Sequence, residues 1–152
     1  MRFLDQRLET EPGYTYVLAS SDTLSEHVLA FTELSLGTSY RATRTILQSS
    51  HVDKRDGFPV GLLDATTVLV AEPVQLHLDP ADQQVIAIPA ESFLDGRNIA
   101  RAFRRLEQDF TLQGGVRVVV FARTRPNRPD EVRELSDLLA AAYPDRPEIF
   151  RP

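Results

Sequence analysis

Cysteine is absent from the 152 residues, which excludes disulfides, a thiolate nucleophile and Cys-ligated zinc, and leaves the compartment open. Lysine is all but missing: Lys54 stands alone, so arginine carries the positive charge. No apolar run approaches the ~20 residues needed to span a bilayer. The opening MRFLDQRLETEPG alternates charged and apolar residues, which is not the continuous apolar core of a secretory signal. The glycine-rich dinucleotide fingerprint and the Gly-x-Ser-x-Gly nucleophile elbow are also missing.

What is present describes one globular domain over residues 1–152, with no repeat, linker or low-complexity tract. A chain of this length can bury roughly two-thirds of its unfolded surface. Hydrophobic residues at 42% and charged residues at 26% suit neither a disordered chain nor a coiled coil. The net charge of −5 argues against a general nucleic-acid binder. The charge is uneven, however. Between Arg97 and Arg128 eight arginines face only Glu107 and Asp109, leaving the rest of the chain strongly acidic.

Periodicity supplies the elements. Phe3, Leu4 and Leu8 recur at helical spacing until Glu11-Pro12-Gly13. Tyr14 to Ala19 is aromatic and β-branched enough for a strand. Thr23-Leu24-Ser25-Glu26 fits a capping box, with Leu24, Val28 and Phe31 on one helical face and Gly37 as its stop. A second strand is expected around Thr45–Gln48, a helical turn near Val60–Asp64, and a doubly buried strand at Thr67–Ala71. Asp79-Pro80 reads as an N-cap with proline at the first helical position, and Pro89 limits any helix begun there. Ile99, Phe103, Leu106 and Phe110 form the clearest helical stripe. Phe110 and Leu112, then Val116, Val118 and Val120, alternate around Gly114-Gly115 as a hairpin. Pro129, Asp130 and Glu131 open a last helix, which Pro144 closes. Strands alternating with helices imply an α/β fold: a Rossmann-like three-layer sandwich with a mostly parallel sheet and a C-terminal antiparallel hairpin.

In such a sheet, ligands bind beyond the carboxyl ends of the strands, where three polar segments fall. Ser20 and Ser21 end a strand and open a helix, so free N–H groups there suit an anion, although Asp22 would repel one; local capping is the stronger reading. His51, Asp53, Lys54, Arg55 and Asp56 crowd ahead of Gly57-Phe58-Pro59. Asp53 and Asp56 can take an arginine fork or a sugar hydroxyl, and Arg55 can clamp a phosphate. The plainer reading is a surface turn whose charges pair with one another. Glu72, Gln75, His77 and Asp79 form the third segment. The pairs His51/Asp53 and His77/Asp79 are metal-ligand types, but two such pairs do not make a site, and neither a metal nor a cofactor is expected. Arg97, Arg101, Arg104 and Arg105 read as a solvated helix face, or as a patch drawn to anionic lipid.

Four stretches carry a family resemblance: YVLASSDTLSEHVL (Tyr16 to Leu29), HVDKRDGFP (His51 to Pro59), AEPVQLHLDPADQQVI (Ala71 to Ile86) and FTLQGGVRVVVF (Phe110 to Phe121). They resemble the soluble C-terminal part of large bacterial polytopic membrane glycosyltransferases of the dolichyl-phosphate-mannose-protein mannosyltransferase-like type. The resemblance implies a tail domain on the extracytoplasmic face, partnered by the membrane part of the same polypeptide and a polyprenyl-phosphate-linked sugar or other anionic lipid. It carries no catalytic residues onto this chain, and implies acceptor recognition, carrier contact or assembly. Two other readings stand beside it. One is a stand-alone, cytoplasmic α/β enzyme that binds a nucleotide or sugar phosphate through His51, Asp53, Arg55, Asp56, Gln75 and His77. The other is a protein-interaction module docking at the edge of the C-terminal hairpin.

Overall fold

The structure, a computed structural model, describes residues 1–36 and 52–152. Gly37, the strand expected at Thr45–Gln48 and His51 lie outside the described residues. Among the described residues four strands form one sheet: β1 (Tyr14–Leu18), β2 (Ala65–Glu72), β3 (Phe103–Thr111) and β4 (Arg117–Arg123), in the spatial order β1-β2-β4-β3. β1 runs parallel to β2, with Tyr16 opposite Val68 and Leu18 opposite Val70. β4 is antiparallel to both β2 and β3. The fold is therefore α/β, but the sheet is mixed and not mostly parallel. The C-terminal hairpin does form one edge, with β3 outermost, but its second strand, β4, joins β2 antiparallel, so among the described residues one of the three pairings is parallel.

Side-chain alternation explains why both sheet faces are covered. Tyr16, Leu18, Val68, Val70, Val119 and Phe121 point one way, into a core shared with α4 (Gln84–Asp95) and α5 (Pro129–Ala142) and with Leu62 of the short α3 (Gly61–Asp64). The residues between them, Val17, Leu69, Ala71, Val118 and Val120, point the other way, toward Leu4 of α1 (Arg2–Thr10) and Leu24 just before α2 (Glu26–Ser35). Phe93 of α4 meets Phe103 and Phe121 edge-on at centroid distances of 5.0 and 5.1 Å.

Three local expectations need correction. The stripe Ile99/Phe103/Leu106/Phe110 is not a helix. A 3₁₀ turn (Asn98–Ala102) leads into β3, and Arg104 and Arg105 are strand residues. Seven residues apart, Phe103 and Phe110 fall on opposite faces by strand alternation, one in each core. Between them β3 bulges: the four steps from Arg105 to Asp109 face two steps of β4, from Phe121 to Val119. Pro89 does not limit α4, which runs through it to Gly96, a left-handed stop at φ 66°. Proline gives up one N–H bond there, but its ring is buried in the apolar layer. Phe31, finally, is 71% exposed instead of facing the core.

α2 starts later than the capping box suggests. Ser25 is its N-cap, and the Ser25 hydroxyl accepts from Val28 N–H at 3.3 Å. Ser25→Ala is expected to cost about 1 kcal/mol, measurable as a shift in the urea midpoint at unchanged slope.

Candidate functional site

β1 and β2 are parallel, so their carboxyl ends share one rim, and the chain beyond each turns into a polar segment. These two segments and the 52–56 turn are tied together by one fully buried side chain, Gln83, immediately before α4. Its Oε1 accepts from the backbone N–H groups of His77 and Leu78, both at 2.9 Å. Its Nε2 donates to the Val52 carbonyl at 2.9 Å and to Ser20 Oγ at 3.1 Å. His77 Nδ1 lies 3.4 Å from the same Nε2, whose two protons already go to Val52 and Ser20.

Around this hub lies a cleft of about 410 Å³ lined by Ala19, Ser20, Ser21, Asp22, Ser25, Glu26, His27, Val52 and His77. Some of these groups only hold the wall. Ser20 N–H donates to the Gln75 carbonyl at 2.9 Å. Ser21 Oγ donates to Gln75 Oε1 at 3.2 Å and accepts from the N–H groups of Thr23 and Leu24. Gln75 Nε2 bonds the Pro73 carbonyl at 3.0 Å. Ser20, Ser21 and Gln75 are thus brought together as expected, with their hydrogen-bonding capacity largely spent on one another. Among the lining residues, the exposed Asp22 carboxylate has no partner within the described residues, the Ser25 hydroxyl keeps its proton, and His27 Nδ1 lies 3.6 Å from Glu26 Oε1.

The 53–56 cluster is a self-contained turn. Asp53 is buried and takes Arg55 Nε at 3.1 Å, Arg55 Nη2 at 2.6 Å and the Arg55 N–H at 2.7 Å. These bonds to the ionised carboxylate, the Arg55 side chain foremost, hold Asp53 down at about 2. A depressed carboxylate contributes stability above its ordinary range and loses it as pH falls toward 2. With the Arg55 side chain 75% exposed, solvent screens much of that contribution. Asp56 Oδ2 accepts from Val52 N–H at 2.7 Å and Asp53 N–H at 2.9 Å, which closes its own turn. Lys54 pairs with Asp82 at 2.6 Å. Gly57, at φ 78°, has the Ile149 carbonyl 2.6 Å from where a Cβ would stand, so glycine is required for the turn to lie against the C-terminal segment. Asp53, Arg55 and Asp56 do not line the cleft; they brace Val52, which does.

The arginine-rich stretch is also largely spent. Arg97 pairs with Asp95, Arg101 with Glu134, Arg105 with Asp109, Arg117 with Glu72, and Arg125 with Glu131. Half-buried Arg123 donates to the carbonyls of Leu62, Leu63 and Ala65 at the end of α3 and stacks over Phe103 at 4.4 Å, a structural role. Among the described residues no group of three His, Asp or Glu side chains is placed to hold a metal ion. His77 and Asp79 part company. His77 faces Gln83, whereas Asp79 Oδ1 caps the 3₁₀ turn Pro80–Asp82 through Ala81 N–H at 2.8 Å.

Sequence reasoning located the rim but missed its centre. Nothing in the run Ala81-Asp82-Gln83-Gln84 distinguishes Gln83 from its neighbour, although only the former is buried among three loops. Ser25, Glu26 and His27 were legible only as a helix start, and that start is one wall of the cleft. Comparison with protein-family models finds no match, and comparisons with curated proteins and with solved structures find no significant one.

Proposed function

We propose that this chain is a non-catalytic recognition domain serving a membrane glycosyltransferase, in which the cleft at the β1 rim engages the acceptor or the lipid-linked carrier on the extracytoplasmic face. The observation that carries the reading is the convergence of three separate polar segments on Gln83, which builds a braced cleft from the same stretches that carry the family resemblance. The charges best suited to chemistry, Asp53, Arg55 and Asp56, are consumed within their own turn, which favours holding a ligand over transforming it. A nucleotide-binding enzyme is less well supported: the chain has no glycine-rich phosphate-binding fingerprint, and among the described residues no arginine or lysine lines the cleft. Docking at the hairpin is opposed by the bulge in β3 and by Arg104, Arg105 and Glu107 along that edge, features that discourage strand addition.

The genomic reading frame is the first test. The proposal expects a series of apolar segments encoded in frame ahead of Met1, and a gene that starts translation at Met1 overturns it. In the intact transferase, Asp22→Ala is expected to raise KM for the ligand seated in the cleft while leaving kcat nearly unchanged; an equal loss in kcat would mean that the domain takes part in the chemistry.

A further inference from the structure

We infer that the segment 146–150, beyond α5, is a strap whose docking keeps the cleft wall in place, so that its release loosens the cleft while the sheet stays paired. As regulation of the cleft this rests on the recognition reading above; as a coupling between two parts of the fold it does not. The strap holds the 3₁₀ turn Pro147–Phe150, and its anchor is Phe150, fully buried and stacked on the Tyr143 ring at 4.9 Å. Two hydrogen bonds fasten it. Ser136 Oγ of α5 donates to the Phe150 carbonyl at 2.7 Å, and Phe58 N–H donates to the Ile149 carbonyl at 3.0 Å. The four strands pair with one another without it, so it can open as a unit of its own.

Two short routes lead from the strap to Gln83. The first passes through Tyr143. The start of α4 has no side-chain cap from its own N-cap residue, and an uncapped helix start leaves N–H groups without partners. The Tyr143 hydroxyl serves one of them, accepting from Gln84 N–H at 2.7 Å, one residue beyond the hub. The ring that carries this hydroxyl is the one on which Phe150 stacks. The second route passes through the 52–58 turn, which Gly57 seats directly on the Ile149 carbonyl. Asp56 Oδ2 closes that turn on Val52 N–H at 2.7 Å, and Lys54 N–H ties it to the Asp82 carbonyl at 2.9 Å. The Val52 carbonyl then accepts from Gln83 Nε2. A displaced strap therefore disturbs the Gln84 cap and the Val52 carbonyl together, and these support Gln83 from two sides. Packed rings and hydrogen bonds in unbroken sequence are the physical means by which one element biases another.

The test is native-state amide hydrogen exchange, followed by ¹⁵N-correlated NMR on the folded chain carrying Ser136→Ala or Tyr143→Phe. Neither residue lines the cleft. Ser136→Ala removes a fastening of the strap and is expected to speed exchange about tenfold at Phe58, Gln84, His77 and Leu78 alike, with Val68 and Val70 of β2 unchanged. Tyr143→Phe removes the cap alone. It is expected to speed Gln84, His77 and Leu78 while Phe58 keeps its wild-type rate. If Ser136→Ala speeds Phe58 only, the segment is an anchor that does not reach the cleft, and the coupling is overturned. If the β2 amides speed by the same factor, the segment opens only with the whole domain and is no strap. If Tyr143→Phe alters Gln84 and leaves His77 and Leu78 unmoved, the route through the tyrosine is overturned. No ligand enters these measurements, so their failure leaves the recognition reading standing, and a cleft that binds nothing leaves the coupling standing.

Discussion

Replacing Gln83 by leucine is expected to cost about 3 kcal/mol, lowering Tm by roughly 6–12 °C for a domain of this size. Leucine has nearly the same volume and would pack, so the loss comes from hydrogen bonding. The N–H groups of His77 and Leu78 and the carbonyl of Val52 would each lose their partner at 2.9 Å in a partly buried setting. A buried polar group left unpaired costs more than a formed hydrogen bond gains, which sets the magnitude. The effect is also local. Amide hydrogen exchange should accelerate first at His77 and Leu78, before the sheet amides of β2 and β4 respond. Gln83→Glu separates the two sides of the amide: it retains an acceptor for the two N–H groups but turns an oxygen toward the Val52 carbonyl. Its destabilisation should therefore diminish at low pH, where a protonated carboxyl can donate. A Gln83→Leu protein melting within roughly 2 °C of the wild type would show that the three segments hold together without this hub.

The second large effect concerns acid. Glu131, buried in the first turn of α5, accepts from Arg125 Nη1 at 2.8 Å and Nη2 at 2.5 Å, and from the Arg128 N–H at 2.9 Å. These bonds, Arg125 first, outweigh the effect of burial and lower its pKa from 4.5 to about 2. Because the folded value lies below the unfolded one, the stabilisation is complete above about 4.5 and is lost as pH falls through 2. Glu131→Gln is expected to cost about 2–3 kcal/mol at neutral pH, less than a wholly buried pair because Arg125 remains a third exposed. Its stability should also fall less steeply than the wild type's between pH 4.5 and 2. Asp53 titrates in the same acid window, so the difference between the two proteins, followed by urea unfolding at each pH, isolates Glu131. Parallel pH profiles would remove Glu131 from the account of acid stability.

Much of the fold was legible because local and global preferences agree. α1, β1, β2, the Gly114-Gly115 turn and α5 lie where apolar period, caps and turn residues place them. The disagreement around Phe103 has a physical source. A bulged strand that serves both faces of a sheet, and a helix that serves one, can display the same spacing of apolar residues. Only pairing with β4 decides between them, and that pairing runs across strands, outside any window that reads β3 by itself. The parallel character of the sheet failed for a related reason: strand-and-helix order says which elements exist but not beside which strand a hairpin will insert.

For the candidate site, the amino-acid order by itself determined that three polar segments follow strand ends and that Asp53, Arg55 and Asp56 can satisfy one another, since both are consequences of short-range spacing. Tertiary structure alone decided that Gln83 is the joint between those segments, that Ser20, Ser21 and Gln75 form wall while Asp22 and Ser25 keep groups free, and that Asp53, Arg55 and Asp56 stay outside the cleft. Such outcomes depend on which side chains lose water and which find partners across more than sixty residues of chain, as Ser20 and Gln83 do. Burial and long-range pairing are properties of the packed molecule, and no local pattern encodes them.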